Sequence, residues 1–385
     1  MFSIDGNIPS GRITVLAAHR CDDIRLSIPK DPISGFVGWF HFRVSGAKGQ
    51  DCRFQLVDAG DVQAVRLPCR EAHGDRWTDT GPLASYDLVH WFRVPAAYDG
   101  QVFSFEHCPE HDLCYYASFA PYSVHREMAM VARAQRDPRV VVQTLGHSIQ
   151  GRPIDLLAVG KRTADSLRCW VITRQHPSES QGGYFVEGLL ERLLDPQDAV
   201  GKALLERAVF YIAPNLNPDG AALALSRSNA AGANLNREWT APDPLRSPEI
   251  IAIRQAMETH GVDFCIDCHA DDELPFNFMC PAENVGSCHP QRREPFEVFE
   301  RAWALANSDY RLGHPYPGGL PAQADESMGW NWIGNRFENS LSVLLEQPFK
   351  DVHGRPWTPQ RAQRLGASCL TALNATLDAL TRGKP

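Results

Sequence analysis

"LRCWVITRQHPSESQGGYFVEGLLERLLD", residues 167–195, decides how this chain is built. Its first seven residues are mostly apolar and suit a buried strand, and the stretch from Gly182 onward has the apolar spacing of a helix. Between them a polar turn carries His176 and Glu179, three apart, with Pro177 and Ser178 between. A strand that passes through a short turn straight into a helix is the building unit of a parallel sheet covered on both faces. In such sheets, sites form at the carboxyl ends of the strands. The stretch therefore sets a fold class and places a histidine and a carboxylate where that fold puts its chemistry.

The same alternation extends in both directions. Ser123 is a candidate cap for a helix through "VHREMAMVARAQ", and residues 140–160 read as two strands around a turn at Gln150-Gly151. Further strands are expected at 207–214, 263–269 and 341–347. A helix is expected at 247–261, with Ser247 at its cap, Pro248 in its first turn and Gly261 at its stop. A long closing helix is expected over 358–383. Residues 123–385 thus form an α/β domain with a mixed, largely parallel sheet flanked by helices. Residues 1–122 differ. Aromatic and β-branched runs at 36–44, 52–59, 88–94 and 101–107, separated by turn residues, predict an antiparallel β-sandwich. That domain carries no catalytic motif and reads as a packing or recognition module.

Bulk properties narrow the function. The chain has 385 residues, 43% hydrophobic and 22% charged, which fits two globular domains with real cores. A net charge of −8 excludes a nucleic-acid partner that would need a basic face. There is no apolar run of the ~20 residues that cross a bilayer, and no secretory signal is read at the N-terminus. The eleven cysteines are spread along the chain and are expected to be reduced thiols in a cytoplasmic protein, for which a homo-oligomer is open.

His176 and Glu179 alone would be two surface polar residues. A catalytic zinc needs three protein ligands and one open position, and His269 in "CIDCHADDE" offers the third from another strand end. "CIDCH" is also a haem-attachment pattern. In a strand, however, Cys265 and Cys268 point to opposite faces while Asp267 and His269 share one, so the cysteines read as buried small residues. In "APNLNPDGAALALSRSNAAGANLNREW" (213–239), Asn236 and Arg237 stand side by side, and Arg227 lies nine residues before Asn236. A neutral amide beside a guanidinium suits a carboxylate. Either arginine alone could equally serve a surface salt bridge. Glu346 ends the apolar run "SVLLE", where a carboxylate needs a partner or a task; it is either ion-paired or a proton shuttle.

"GHSIQGRPI", "HPSES", "NLNPDG", "GANLNREW", "SPE", "CHAD" and "LLEQP" follow one another in the order found in M14 zinc carboxypeptidases, and the chain resembles that family. The β-rich leader, "FAPYS" and "RQHPSES" resemble its cytosolic branch. The resemblance implies that His176, Glu179 and His269 bind one zinc ion. It implies that Glu346 is the general base, that Arg227 holds the developing oxyanion, and that Asn236 and Arg237 hold the substrate's free carboxylate. Two features depart from the family pattern. Asn234 stands where an aspartate usually orients a ligand histidine, and "AQADESMGW" (322–330) lacks the tyrosine that digestive relatives carry some twenty residues before the base. The implied activity is removal of C-terminal residues from peptides or proteins. An acidic C-terminal residue is consistent with the cytosolic branch, with Arg336 as the candidate cation. Two alternatives stand beside it: a zinc hydrolase of small N-acyl amino acids, and a non-catalytic peptide-binding protein on a peptidase scaffold.

Overall fold

The computed structural model describes residues 2–64, 75–283, 292–313, 316, 319 and 323–381. Two five-stranded sheets make the leading sandwich. One sheet holds Ser3–Asp5, His41–Ser45, Leu113–Ala117, Leu83–Ser85 and Phe92–Arg93, all paired antiparallel. The other holds Thr14–Arg20, Asp23–Ser27, Cys52–Leu56, Phe103–His107 and Ala96–Tyr98. It is antiparallel except where Asp23–Ser27 runs parallel to Cys52–Leu56, so the expected antiparallel sandwich forms with this parallel pair within it. Phe42, Phe54, Phe103 and Tyr116 fill the space between the sheets. The strands are shorter than the apolar runs that announce them. In the 36–44 run, pairing starts only at His41, because glycines 35 and 38 adopt positive φ and keep the preceding segment a loop.

The third sheet has seven strands in the spatial order Val140–His147, Pro153–Val159, Ala208–Ala213, Leu167–Thr173, Phe264–Asp271, Leu341–Pro348 and Phe278–Pro281. The four strands from Ala208–Ala213 to Leu341–Pro348 are mutually parallel, and the flanking pairs are antiparallel. The expected helices form at Val124–Ala134, Gln181–Leu193, Pro248–His260 and Pro359–Thr381. The final predicted turn of the last, 382–383, lies outside the described residues. Ser123 caps the first of these helices, its Oγ accepting from the Arg126 N–H at 3.2 Å. Ser247 makes no such bond to its helix. Its hydroxyl turns instead to Glu238, at 3.2 Å.

Helices Gln181–Leu193 and Pro359–Thr381 pack face to face through two glycines. A Cβ on Gly366 would sit 1.9 Å from the Phe185 carbonyl, and one on Gly188 would sit 2.0 Å from that of Gln363. Only glycine permits backbones that close. The strand Phe264–Asp271 separates two apolar cores. Cys265 belongs to the core under Pro248–His260, and Cys268 to the core under Gln181–Leu193. Both are fully buried, and burial raises both thiols well above their ordinary range. The alternation that argued against haem attachment is thus present in three dimensions.

Candidate active site

Three strand ends converge. The turn after Leu167–Thr173 supplies His176 and Glu179, and Phe264–Asp271 supplies His269. Glu346 lies directly opposite His269 in the parallel register of Leu341–Pro348. The ligand atoms of His176, Glu179 and His269 all lie within 4.8 Å of one another, and all three residues are buried. Glu179 divides its carboxylate, with Oε1 2.6 Å from His176 Nδ1 and Oε2 2.8 Å from His269 Nδ1. The two Nδ1 atoms are 3.2 Å apart. A tetrahedral zinc with bonds of ~2.0–2.1 Å sets its ligand atoms roughly 3.3 Å apart, so this two-nitrogen, one-carboxylate set fits the ion.

The far nitrogens are tied down. His176 Nε2 faces Asn234 Oδ1 at 3.0 Å, and His269 Nε2 faces Asp267 Oδ1 at 3.2 Å. An orienting carboxylate is therefore present, on His269 and not on the histidine that Asn234 serves. Asp267 is fully buried and accepts from Gln175 Nε2 at 2.9 and 2.7 Å. Gln175 Oε1 in turn accepts from the Trp239 indole at 2.8 Å. These contacts fix ring orientation and tautomer, the task of groups just outside a metal's ligands.

Charges in the cluster push the histidines apart. Burial, reinforced by the Arg227 cation, lowers His176 to about 3. At His269 burial also lowers the value, but Asp267 and Glu179 outweigh it and raise it to about 10. Burial acts to raise Glu179, and the two imidazoles outweigh it and hold it low.

The turn itself is held by Arg174, a fully enclosed residue at φ +58°. Its guanidinium donates to the carbonyls of Tyr122 and Pro177, both at 2.7 Å. Such a backbone costs of order 1 kcal/mol for a non-glycine residue and persists only where its surroundings impose it. Asp219 of "NPDG" accepts from Ser148 Oγ at 2.8 Å, the Gln150 N–H at 2.8 Å and Arg152 at 2.6 Å. "GHSIQGRPI" and "NPDG" are therefore tied into one structural clamp.

Asn236 sits in a short helical turn, Leu235–Arg237, and its Oδ1 accepts from the Gly329 N–H at 2.8 Å. Arg237 donates to the Asn236 carbonyl at 2.7 Å and lies 3.5 Å from Asp325. Arg227 lies on the loop between Pro218–Ala222 and that turn, and lines a cleft beside Glu179. The sandwich domain contributes Phe36, Gly38 and Arg76 to the same cleft, opposite Asp272 and Phe349. Arg76 is 3.1 Å from Asp272.

Arg336 is not brought to this cluster. It ends the helix Gly329–Arg336, and its half-exposed guanidinium lies 3.4 Å from Glu258. Sequence reasoning also left the tyrosine position vacant, whereas the Tyr316 hydroxyl donates to Glu346 Oε1. Tyr316 lies thirty residues before the base, ten further than the family spacing suggested, and its ring packs on Phe278 at 5.0 Å.

The family model for the cytosolic carboxypeptidase N-terminal domain matches residues 4–119, and that for zinc carboxypeptidase matches residues 127–337. The structure of a metallo-carboxypeptidase from Burkholderia cenocepacia superposes with a TM-score of 0.91 at 38% identity, over 98% of this chain and 100% of that one. A Pseudomonas aeruginosa metallo-carboxypeptidase, solved with (2-guanidinoethylmercapto)succinic acid, gives 0.91 at 37% identity over the same shares. Mouse cytosolic carboxypeptidase 6 is 27% identical over 63% of this chain, which spans 48% of that protein's length. Among the described residues no helix is long and apolar enough to cross a membrane.

Proposed function

The chain belongs to the M14 zinc carboxypeptidase family, behind a cytosolic carboxypeptidase N-terminal domain, and from that premise we propose that it hydrolyses the last peptide bond of peptides or proteins with His176, Glu179 and His269 as zinc ligands. The observation that carries this reading is the convergence of those three ligand atoms with Glu346 in register beside His269. When bound, zinc supplies Lewis acidity, polarising the scissile carbonyl and making water a nucleophile near neutral pH.

The chain's own residues do the rest. Glu346, buried and accepting from Tyr316, takes a proton from the attacking water and returns it to the leaving amine nitrogen. Arg227 holds the oxygen on which negative charge develops, a contribution of a few kcal/mol for one fixed donor. Asn236 and Arg237 receive the free carboxylate, which selects a chain end over an internal bond. Asp325, now 3.5 Å from Arg237, is the anion that the substrate carboxylate displaces. The succinic-acid ligand of the Pseudomonas aeruginosa relative supports carboxylate recognition in this architecture. An acidic preference would draw on Arg76 and Arg227, which line the cleft, and not on Arg336.

Matched peptides with a free or amidated C-terminus test the reading. An amide offers Arg237 no carboxylate to take in exchange for Asp325, and kcat/KM is expected to fall at least about a hundredfold, or ~3 kcal/mol. Equal rates on the two peptides would sink the exopeptidase reading in favour of a hydrolase of small amides or internal bonds. A C-terminal library read by mass spectrometry then gives the preferred residue.

A further inference from the structure

The sandwich domain reaches into the active site through one carboxylate. Asp31 is 1% exposed and lies 3.8 Å from Arg12, a cation that offsets its burial. Its Oδ1 accepts the Ser226 N–H at 2.7 Å. Its Oδ2 accepts the N–H groups of Arg227 at 3.0 Å and Ser228 at 3.2 Å, and the Ser228 hydroxyl at 3.1 Å. Three consecutive amides closing on one anion make an anion nest, here with the anion supplied by another domain.

Further contacts at this junction reach the same loop. The Trp39 N–H donates to Ser226 Oγ at 3.1 Å, and Ser34 Oγ donates to Ser228 Oγ at 3.0 Å. Ser178, between the ligands His176 and Glu179, donates to the Ser226 carbonyl at 2.6 Å. The Phe36 ring lies 5.8 Å from the Arg227 guanidinium carbon. The residue at the centre of the nest is thus the one whose cation acts on His176 and lines the cleft.

We propose that Asp31 is a positioning residue for Arg227: the sandwich domain sets the oxyanion-binding arginine, so the active site is completed by both domains. This rests on the role given to Arg227 above. A loop held by three amides and a hydroxyl keeps the arginine's backbone still, and an electrostatic donor is effective in catalysis to the degree that it is preorganised.

Asp31→Asn tests it in the full chain. The change is isosteric, but it turns one acceptor oxygen into a donor facing N–H groups. Expected are a kcat about 10- to 100-fold lower, a KM within about threefold, and an unchanged zinc affinity, since the ligands are untouched. Arg227→Ala is expected to cost about 10²–10³-fold. In that background Asp31→Asn should cost less than about twofold, because residues acting through one another are not additive. A full, multiplicative loss in the double variant overturns the proposal while leaving the role of Arg227 intact. So does a normal kcat for Asp31→Asn beside an impaired Arg227→Ala. A normal kcat for Arg227→Ala overturns the oxyanion reading itself, and the proposal with it. Ser228→Ala, which removes one donor from the same carboxylate, goes through the same cycle so that the proposal does not hang on the folding of Asp31→Asn. It is expected to give a smaller loss of kcat that likewise vanishes in Arg227→Ala, and full additivity would overturn the proposal.

Discussion

Asp267→Asn probes the claim that the orienting carboxylate sits on His269. The substitution keeps shape and volume and removes a charge. Asp267 now accepts from His269 Nε2 at 3.2 Å and from Gln175 Nε2 at 2.9 and 2.7 Å. An asparagine there keeps one acceptor oxygen and must point its NH₂ at a neighbour that is itself a donor. Hydrogen bonds to a charged group contribute ~1.5–3 kcal/mol each, and loss of a carboxylate behind a ligand histidine typically weakens metal binding ~10–100-fold, or ~1.4–2.7 kcal/mol. The two routes agree, so a zinc Kd about 10- to 100-fold weaker is expected, with three ligands retained. Titration of metal-free protein in chelator-buffered zinc reads this directly, without reference to turnover. The companion Asn234→Asp, which adds a carboxylate 3.0 Å from His176 Nε2, should tighten binding. A Kd for Asp267→Asn within about twofold of wild type would refute the reasoning and return the orienting role to Asn234 or to packing alone.

Glu346→Gln should retain zinc and lose about 10²–10⁴ in kcat, since it removes the proton shuttle and little else; near-normal turnover would assign the base elsewhere. Tyr316→Phe leaves the Glu346 strand in place and removes the hydroxyl that meets Oε1, so a lower kcat with unchanged zinc content is expected in steady-state assays and metal analysis. A pH effect on stability follows from His41, which is 2% exposed and pushed down by burial to about 4. The unfolded chain takes up this proton below ~6.5 and the folded one does not until about 4, so stability is present above pH 6.5 and lost as pH falls through that window. About 2.5 pH units at 1.36 kcal/mol each is ~3 kcal/mol. Urea unfolding at pH 7 and pH 4.5 should therefore show a gentler acid loss for His41→Gln than for wild type, and parallel curves would refute this.

The ligand turn, the Ser123 cap and the strand–helix alternation were legible because their signals are local. A strand's period of two put Cys265 and Cys268 in different cores and Asp267 with His269. A histidine and a carboxylate three apart on a tight turn at a strand's end come together once that turn forms. Arg336 misled because an arginine on a helix looks the same from the sequence whether it faces a cleft or, as here, Glu258. Tyr316 was missed because the contact is long-range, thirty residues from the base, and no local period says which tyrosine reaches Glu346. Asp31 lies 196 residues from Arg227, and its three amide bonds exist only because two separately built domains meet there. Local sequence determines which groups share a face, since backbone geometry repeats every two or 3.6 residues. Which faces meet is decided by packing across the whole molecule, and at this active site that packing supplies the partner of Glu346, the anchor of Arg227 and the counter-ion of Arg237.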